Sequence, residues 1–339
     1  MLDTSLECGQ GNTMKNNILG QAASGSPSEQ ALHLRQVQTS DIDEHAHNLS
    51  GWRLEYEQLS LGHFQGDLTE FRSEWMQAVR DRSNQVLTKT GTAKEGTITF
   101  SVPLCREAYF YCSGHLIREP SVLVAHGNDL PEIRVPQTTD VLIVAIEEKA
   151  LEHTLSVQGS SFRITEFPTC YRLGDSAMSD ELRLLFDGLQ ANGPNGGELL
   201  EHEAIRRDIR DTVMTHLLDI FSLDQSPPLN PTARRRVVCR AREYALSHMG
   251  EPFSILDICN GIGVSRRKLQ YCFQECLGIN PVAYLRALRL NAVRRELLGN
   301  ARSGSVQKVA THWGFWHLSR FSDNYRAMFG ELPSETLHR

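Results

Sequence analysis

Arg267 and Gln270 stand three residues apart in the run Ser265-Arg266-Arg267-Lys268-Leu269-Gln270-Tyr271, a spacing that puts both on one side of a helix. A guanidinium and a carboxamide make paired hydrogen bonds to the major-groove edges of guanine and adenine, respectively. With Leu269 as the inward anchor, Arg267, Gln270 and Tyr271 point outward as base readers, and Ser265, Arg266 and Lys268 lie where phosphates pass. The same offsets around Phe321 give Ser319, Ser322 and Asp323 as base readers, with Arg320 on the phosphates. Asp323 is the exception in this set, since a carboxylate near phosphates is repelled unless it accepts from a cytosine amine.

The elements that carry these residues have start and stop signals. A helix rich in arginine is expected over about Thr232–Met249, ended by Gly250-Glu251-Pro252. Ser254, with Asp257 three residues on, starts a second helix as a capping box would. That helix stops at Gly261-Ile262-Gly263, and Ser265 caps the reading helix to Cys276. A capped helix, a glycine turn and a second helix rich in Arg, Lys and Gln form a helix-turn-helix unit. The layout recurs about fifty residues later: a helix from Ser305 to His312, the turn Trp313-Gly314-Phe315, and a helix from about Trp316 to Phe329, closed by Gly330 and Pro333. One long helix, about Pro281–Leu298, separates the units. Its roughly 18 residues make a rod of about 27 Å, long enough to hold two heads about one turn of B-DNA apart.

Charge agrees. The chain of 339 residues has net charge -6, but Pro231–Arg339 holds 17 Lys and Arg against 8 Asp and Glu, leaving -15 on the remainder. A basic C-terminal part behind an acidic one predicts a polyanion partner for the former only. The eight cysteines form no C-x-x-C pair and no disulfide framework, which fits a reducing compartment. With no apolar stretch near 20 residues and no signal peptide, the expected location is cytoplasmic and no membrane is involved.

The N-terminal part reads differently. Residues 1–38, rich in Gly, Ser, Asn and Gln, are expected to be a flexible tail. Between about 40 and 165 come short β-prone runs, among them Thr97–Val102, Ser121–Ala125 and Val141–Ile146, the last reading as a fully buried strand. They predict a small antiparallel barrel or sandwich. Trp52, Tyr56, Phe64 and Phe100 are its candidate core or pocket wall. Helices follow, over Asp180–Leu189 with Leu182, Leu184, Leu185 and Leu189 on one side, and about Glu198–Ser222 with Ile205, Ile209, Val213, Leu217 and Phe221 as an apolar stripe. That stripe serves either its own subunit or a homodimer. Asp224–Pro231 is the expected linker, giving a tail 1–38, a sensing and dimerisation domain 39–223, a linker 224–231 and a DNA-binding domain 232–339.

The runs Ile258-Cys259-Asn260, Val264–Leu269, Gly278–Pro281, Arg289-Leu290, Val309-Ala310, Trp313-Gly314-Phe315, Phe321, Tyr325-Arg326, Phe329-Gly330 and Pro333-Ser334 resemble the AraC/XylS family of regulators. The resemblance covers about 100 contiguous residues. It implies an α+β protein: a cupin-like antiparallel β-barrel with appended helices, then an all-α domain of two helix-turn-helix units on a long helix. It also implies a dimeric regulator, an activator rather than an enzyme, with double-stranded DNA, RNA polymerase and a small-molecule effector as partners. Within the family, Arg240–Tyr244, Arg289–Leu297, Trp313–Leu318 and, nearer the start, Asp41, Glu44-His45-Ala46, Trp52, Tyr56, Gln58-Leu59, Gly62, Phe64 and Gly66 are similar to the ethanolamine-operon regulators. Adenosylcobalamin is an effector by that likeness alone.

Two enzymes are the alternatives. A metal-dependent cupin-like enzyme would use His45-Ala46-His47, two imidazoles on one side of a strand, but no further ligand follows at a suitable spacing. An alkyl-transfer repair protein would need clustered thiolates, and Cys105, Cys112 and Cys170 are scattered. No metal site and no catalytic residue are expected.

Overall fold

The computed structural model describes residues 33–105, 109–118, 121–157, 169–173, 176–191, 202–219, 229–248, 253–299 and 305–339. Most of the expected tail and most of the expected linker lie outside the described residues.

The N-terminal half is built from β1 (His33–Thr39), α1 (Ile42–His47), β2 (Arg53–Gln58), β3 (Gly66–Arg72), β4 (Met76–Ser83), β5 (Leu87–Thr92), β6 (Thr97–Pro103), β7 (Phe110–Cys112), β8 (His115–Ile117), β9 (Ser121–His126), β10 (Ile133–Val135), β11 (Thr139–Glu147), α2 (Glu148–Val157), β12 (Cys170–Leu173), α3 (Ser176–Ala191) and α4 (Glu203–Asp219). The strands form one sheet of seven, in the order β1-β3-β4-β11-β6-β9-β12, and one of five, β2-β5-β10-β7-β8. Every pairing is antiparallel. Among the described residues no strand joins the two sheets, so the expected closed barrel is an open two-sheet arrangement.

Strand β11 shows why the apolar run at 141–146 does not alternate with polar residues. Leu142, Val144 and Ile146 face a core shared with α2, α3 and α4, while Ile143 and Ala145 face Trp52 and Leu68 toward the second sheet. A strand covered on both faces is apolar on both. On the helical side Ile209, Val213 and Leu217 of α4 are buried with Leu182 and Phe186 of α3. The expected stripe therefore serves its own subunit, because the seven-stranded sheet needs a cover; Phe221 lies outside the described residues. Leu184, expected on the inner side of its helix, is 64% exposed.

Three further expectations are corrected. Residues 33–38, placed in the tail, belong to β1, which pairs along its whole length with β3. His45 and His47 sit on helix α1 and not on a strand, because the Asp41 side chain caps that helix at the N–H groups of Asp43 and Glu44. His45 is buried against Thr39 and Asp81, whereas His47 is exposed on its own helix's Asp43 carbonyl. Leu229, at the end of the expected polar linker, is buried with Phe110, Cys112 and Ile117.

The C-terminal half contains α5 (Ala233–Ser247), α6 (Ile255–Ile262), α7 (Arg266–Leu277), α8 (Pro281–Gly299), α9 (Val306–His312), α10 (Leu318–Phe329) and α11 (Pro333–Leu337). Among the described residues no helix is long and apolar enough to cross a membrane.

Candidate nucleic-acid interface

Two helix pairs, α6–α7 and α9–α10, are built on the two ends of α8. Tyr284, Leu285 and Leu288 of α8 enter a core with Ile258, Leu269 and Phe273. Ala287, Leu290, Val293 and Leu297 enter another with Val309, Phe321 and Tyr325. The 19 residues of α8 make a rod of about 28 Å, so the two pairs are held by one rigid element and not by a flexible link.

Local chemistry fixes each turn. Ser254 and Asp257 form a full capping box at the start of α6, an arrangement whose cap alone is worth about 1 kcal/mol. Gly263 ends α6 at φ 66°, the left-handed region, and the Val264 N–H donates to the Cys259 carbonyl at 2.9 Å. The second unit repeats this geometry, with Gly314 at φ 77° and the Phe315 N–H on the Ala310 carbonyl at 2.9 Å. Side chains other than glycine resist that φ, which is why a glycine marks both turns. Ser265 caps α7 through the Lys268 N–H at 3.2 Å. Ser305, expected to cap α9, makes no side-chain cap bond, and α10 begins at Leu318, two residues later than expected.

The inward anchors are buried, Leu269 and Phe273 on α7 and Phe321 and Tyr325 on α10. Ser265, Arg266, Arg267, Lys268, Gln270 and Tyr271 are all exposed, as are Ser319, Arg320 and Asp323; Ser322 is half-buried. The first six are thus open to solvent at the N-terminal part of α7 and its cap, and the other four lie in the first turns of α10. The Arg234 guanidinium lies 5.2 Å from the centre of the Tyr271 ring, adding a cation beside this face that sequence spacing did not single out.

A second set of contacts joins this half to the sheets. Arg294 of α8, 4% exposed, donates to Asp41 at 2.6 Å and also pairs with Glu331. Arg295 donates to Asp43 at 2.9 Å and to the Tyr56 carbonyl at 2.7 Å. Asn291 accepts from the Gln58 N–H at 3.1 Å and donates to the Gln58 carbonyl at 2.9 Å, extending β2 onto the helix. Gln58 also donates to the Met328 carbonyl at 2.6 Å, and the Gly62 N–H to the Ala327 carbonyl at 3.0 Å. Arg242 on α5 reaches Glu57 at 3.0 Å. Burial alone would raise the Asp41 carboxyl, but Arg294 and the N–H groups of Glu44 and Asp43 hold it below its usual range. Through these contacts residues 32–339 pack as one compact unit. Asn291 and Arg294 had shown only as part of a family-like run; both are buried polar residues on the largely buried helix α8.

Between the two sheets lie two adjoining apolar cavities of about 50 Å³ each. Both are lined by Lys89, Ser101, Leu123, Ile133 and Ile143; Trp52, Leu54 and Tyr56 wall the first. Phe64 and Phe100 are core residues away from them. The Lys89 ammonium donates to Asp81 at 2.5 Å and lies 4.6 Å from the Tyr56 ring centre. Burial opposes ionisation of Asp81, yet Lys89 and His45 hold its carboxyl well below the usual range. Burial, then Asp81, pushes the Tyr56 hydroxyl well above its ordinary value. Among the described residues no group of three or more His, Cys, Asp or Glu side chains could hold a metal. Cys112, at the sandwich edge, is a buried thiol that burial pushes up to about 12.

Residues 258–339 match the family described as Helix-turn-helix domain. The chain is 29% identical over 206 residues to a probable thc operon regulatory protein of Rhodococcus erythropolis, covering 60% of this chain and 62% of that one. It is 43% identical over 101 residues to the XylDLEGF operon transcriptional activator 3 of Pseudomonas putida, covering 30% of each. The match therefore spans under two thirds of either relative's length. A solved transcriptional regulator from Chromobacterium violaceum with an AraC-type DNA-binding domain is 33% identical, over 30% of this chain and 90% of that one, at TM-score 0.29.

Proposed function

We infer that this chain, whose C-terminal residues form an AraC-type helix-turn-helix domain, is a transcription regulator that reads double-stranded DNA with two heads. The observation that carries this is the pair of reading helices, α7 and α10, with exposed outer faces on the two ends of one rigid helix. Arg267, Gln270, Tyr271, Ser319, Ser322 and Asp323 read bases in this proposal. Ser265, Arg266, Lys268 and Arg320 hold phosphates.

The chain acts near a promoter in the cytoplasm as an activator touching RNA polymerase, a role supported by relatives named as operon transcriptional activators. It is not an enzyme. The two sheets are a cupin-like sensor whose cavities take a small, mostly apolar effector. Their size and the buried Lys89 ammonium suit such a molecule better than a corrinoid or an aminoalcohol cation, so ethanolamine with adenosylcobalamin is the weaker effector. The dimer, with the α4 stripe already covered, uses the outer side of α3 around Leu184. The sensing half, extended back to His33 to include β1, and residues 232–339 as the DNA-binding half complete this scheme.

Selection of binding sites from random duplexes tests the reading. The expected result is a preferred sequence in two parts about one helical turn apart, bound with a steep loss of affinity as salt rises. Equal affinity for selected and random duplexes would overturn it.

A further inference from the structure

The two reading heads differ where they meet the groove. In the first, six positions separate the turn glycine from the inward anchor, Gly263 to Leu269; in the second there are seven, Gly314 to Phe321. Both helices start three residues before the anchor, at Arg266 and Leu318. The N-cap residues, Ser265 and His317, therefore correspond, and so do Val264 and Phe315, each partly buried against its own core. Trp316 is the extra residue, and Leu318 takes the place of Arg266, where an isobutyl group, unlike the guanidinium, can hold no phosphate.

Both are exposed, Trp316 at 54% and Leu318 at 37%, although they lie within three residues of the packed turn of Trp313 and Phe315. The N-terminal residues of a recognition helix are those that reach base edges. The next positions, Ser319 and Arg320, are also exposed, so the apolar pair continues the polar reading face. The major groove offers one apolar feature, the C5-methyl of thymine.

We propose that the second head reads thymine methyl groups through Trp316 and Leu318, while the first head reads by hydrogen bonds. The proposal rests on the two-headed DNA-binding reading above. It makes the two halves of the binding site chemically unlike, with thymines required in the part under α10. Arg320 anchors the adjacent phosphates, and the indole and isobutyl groups leave water on meeting the methyls.

The test uses the full chain and a duplex selected from a random pool, with affinity read by fluorescence anisotropy. Each thymine is replaced singly by deoxyuridine, which removes the methyl and keeps every base-pairing hydrogen bond. The expected result is a loss of about fourfold per contacted methyl, the value of one buried methyl-sized group, at one or two positions under the second head. Trp316→Ala and Leu318→Ala should then bind thymine and deoxyuridine duplexes equally, with folding unchanged because both side chains are exposed. Absence of any selected sequence would defeat the two-headed reading itself. A selected site that tolerates every deoxyuridine defeats only the methyl proposal. So does a Trp316→Ala variant that weakens both duplexes alike, which would place the indole on the backbone, or one that leaves DNA affinity intact, which would assign the patch to a protein.

Discussion

Replacing Arg294 by Met should be among the most damaging single changes in the chain. The guanidinium is 4% exposed between Asp41 of the sheet half and Glu331 of the helical half, whose side chains are themselves about a tenth exposed. Removing the cation leaves Asp41 without its countercharge and Glu331 with Arg339 alone, and breaking a buried pair from one side costs about 3–5 kcal/mol. Asp41→Asn is milder and more informative. The Asp41 oxygen that caps α1 at 2.9 Å is not the one that meets Arg294, and asparagine is as good a cap as aspartate. The substitution therefore removes the charge-assisted bonds and keeps the cap, with an expected loss of about 1.5–3 kcal/mol. Urea unfolding followed by tryptophan fluorescence reports both halves, since Trp52 and Trp75 lie in the sheet half and Trp313 and Trp316 in the helical half. Wild type should unfold in one transition, and Arg294→Met should separate it into two. The double variant should lose at least about 1 kcal/mol less than the sum of the singles, as groups in contact do. Additivity within about 0.5 kcal/mol, with one transition throughout, would refute the idea that this pair joins the halves.

Arg267→Ala should cost about 1–3 kcal/mol on the selected site and relax preference at one base pair; equal weakening on random DNA would put that side chain on phosphate. Arg320→Ala should weaken selected and random duplexes alike and lower the slope of log affinity against log salt by about one, checked by titration across salt. Leu217→Asp should abolish folding of the sheet half rather than release monomers, because Leu217 is fully buried in its own subunit; a folded monomer in sedimentation would contradict this. Asp81 is held below its usual range by Lys89 and His45 against the pull of burial, so its ionised form favours the folded state. That contribution is complete above the unfolded carboxylate pKa, about 3.9, and is lost as pH falls below it. Asp81→Asn should flatten the acid limb of stability below about pH 4, and an unchanged limb would argue against the ion pair.

The helical half was legible because its signals are local. A capping box at Ser254 and Asp257, a glycine after α6, and anchors at Leu269 and Phe321 specify the turns within a few residues of themselves. The buried run at 141–146 was legible for a similar reason, as a short apolar segment between turns. What failed depended on partners far along the chain. Whether the strands close into a barrel is decided by pairings such as β4 with β11, sixty residues apart, which no local pattern encodes. His45 was placed on a strand, whereas the Asp41 cap makes the segment a helix and Asp81 meets the His45 Nε2. The α4 stripe carried the right period, but the period cannot say which apolar surface covers it. Ser305 has the correct residue type for a cap and makes no cap bond, since residue type permits a contact without requiring it.

Strand β2 links the cavity to the helical half. Its Leu54 and Tyr56 side chains wall the cavity, while Glu57 meets Arg242, the Tyr56 carbonyl meets Arg295, and the Gln58 backbone meets Asn291 of α8. The same strand therefore touches the proposed effector site and the rod that sets the spacing of both reading heads. An effector can shift DNA affinity only by its difference in affinity for two arrangements of the protein. In the proposed function that difference arises at Tyr56 and Lys89 and reaches α8 through β2, beside the Asp41–Arg294 pair. A strand paired with β5 along its length and tied to α8 at Tyr56 and Gln58 is suited to passing a displacement of that kind, because packed interfaces have discrete arrangements and resist gradual deformation. It follows that conservative changes along β2 should alter coupling between ligand and DNA more than they alter either affinity alone.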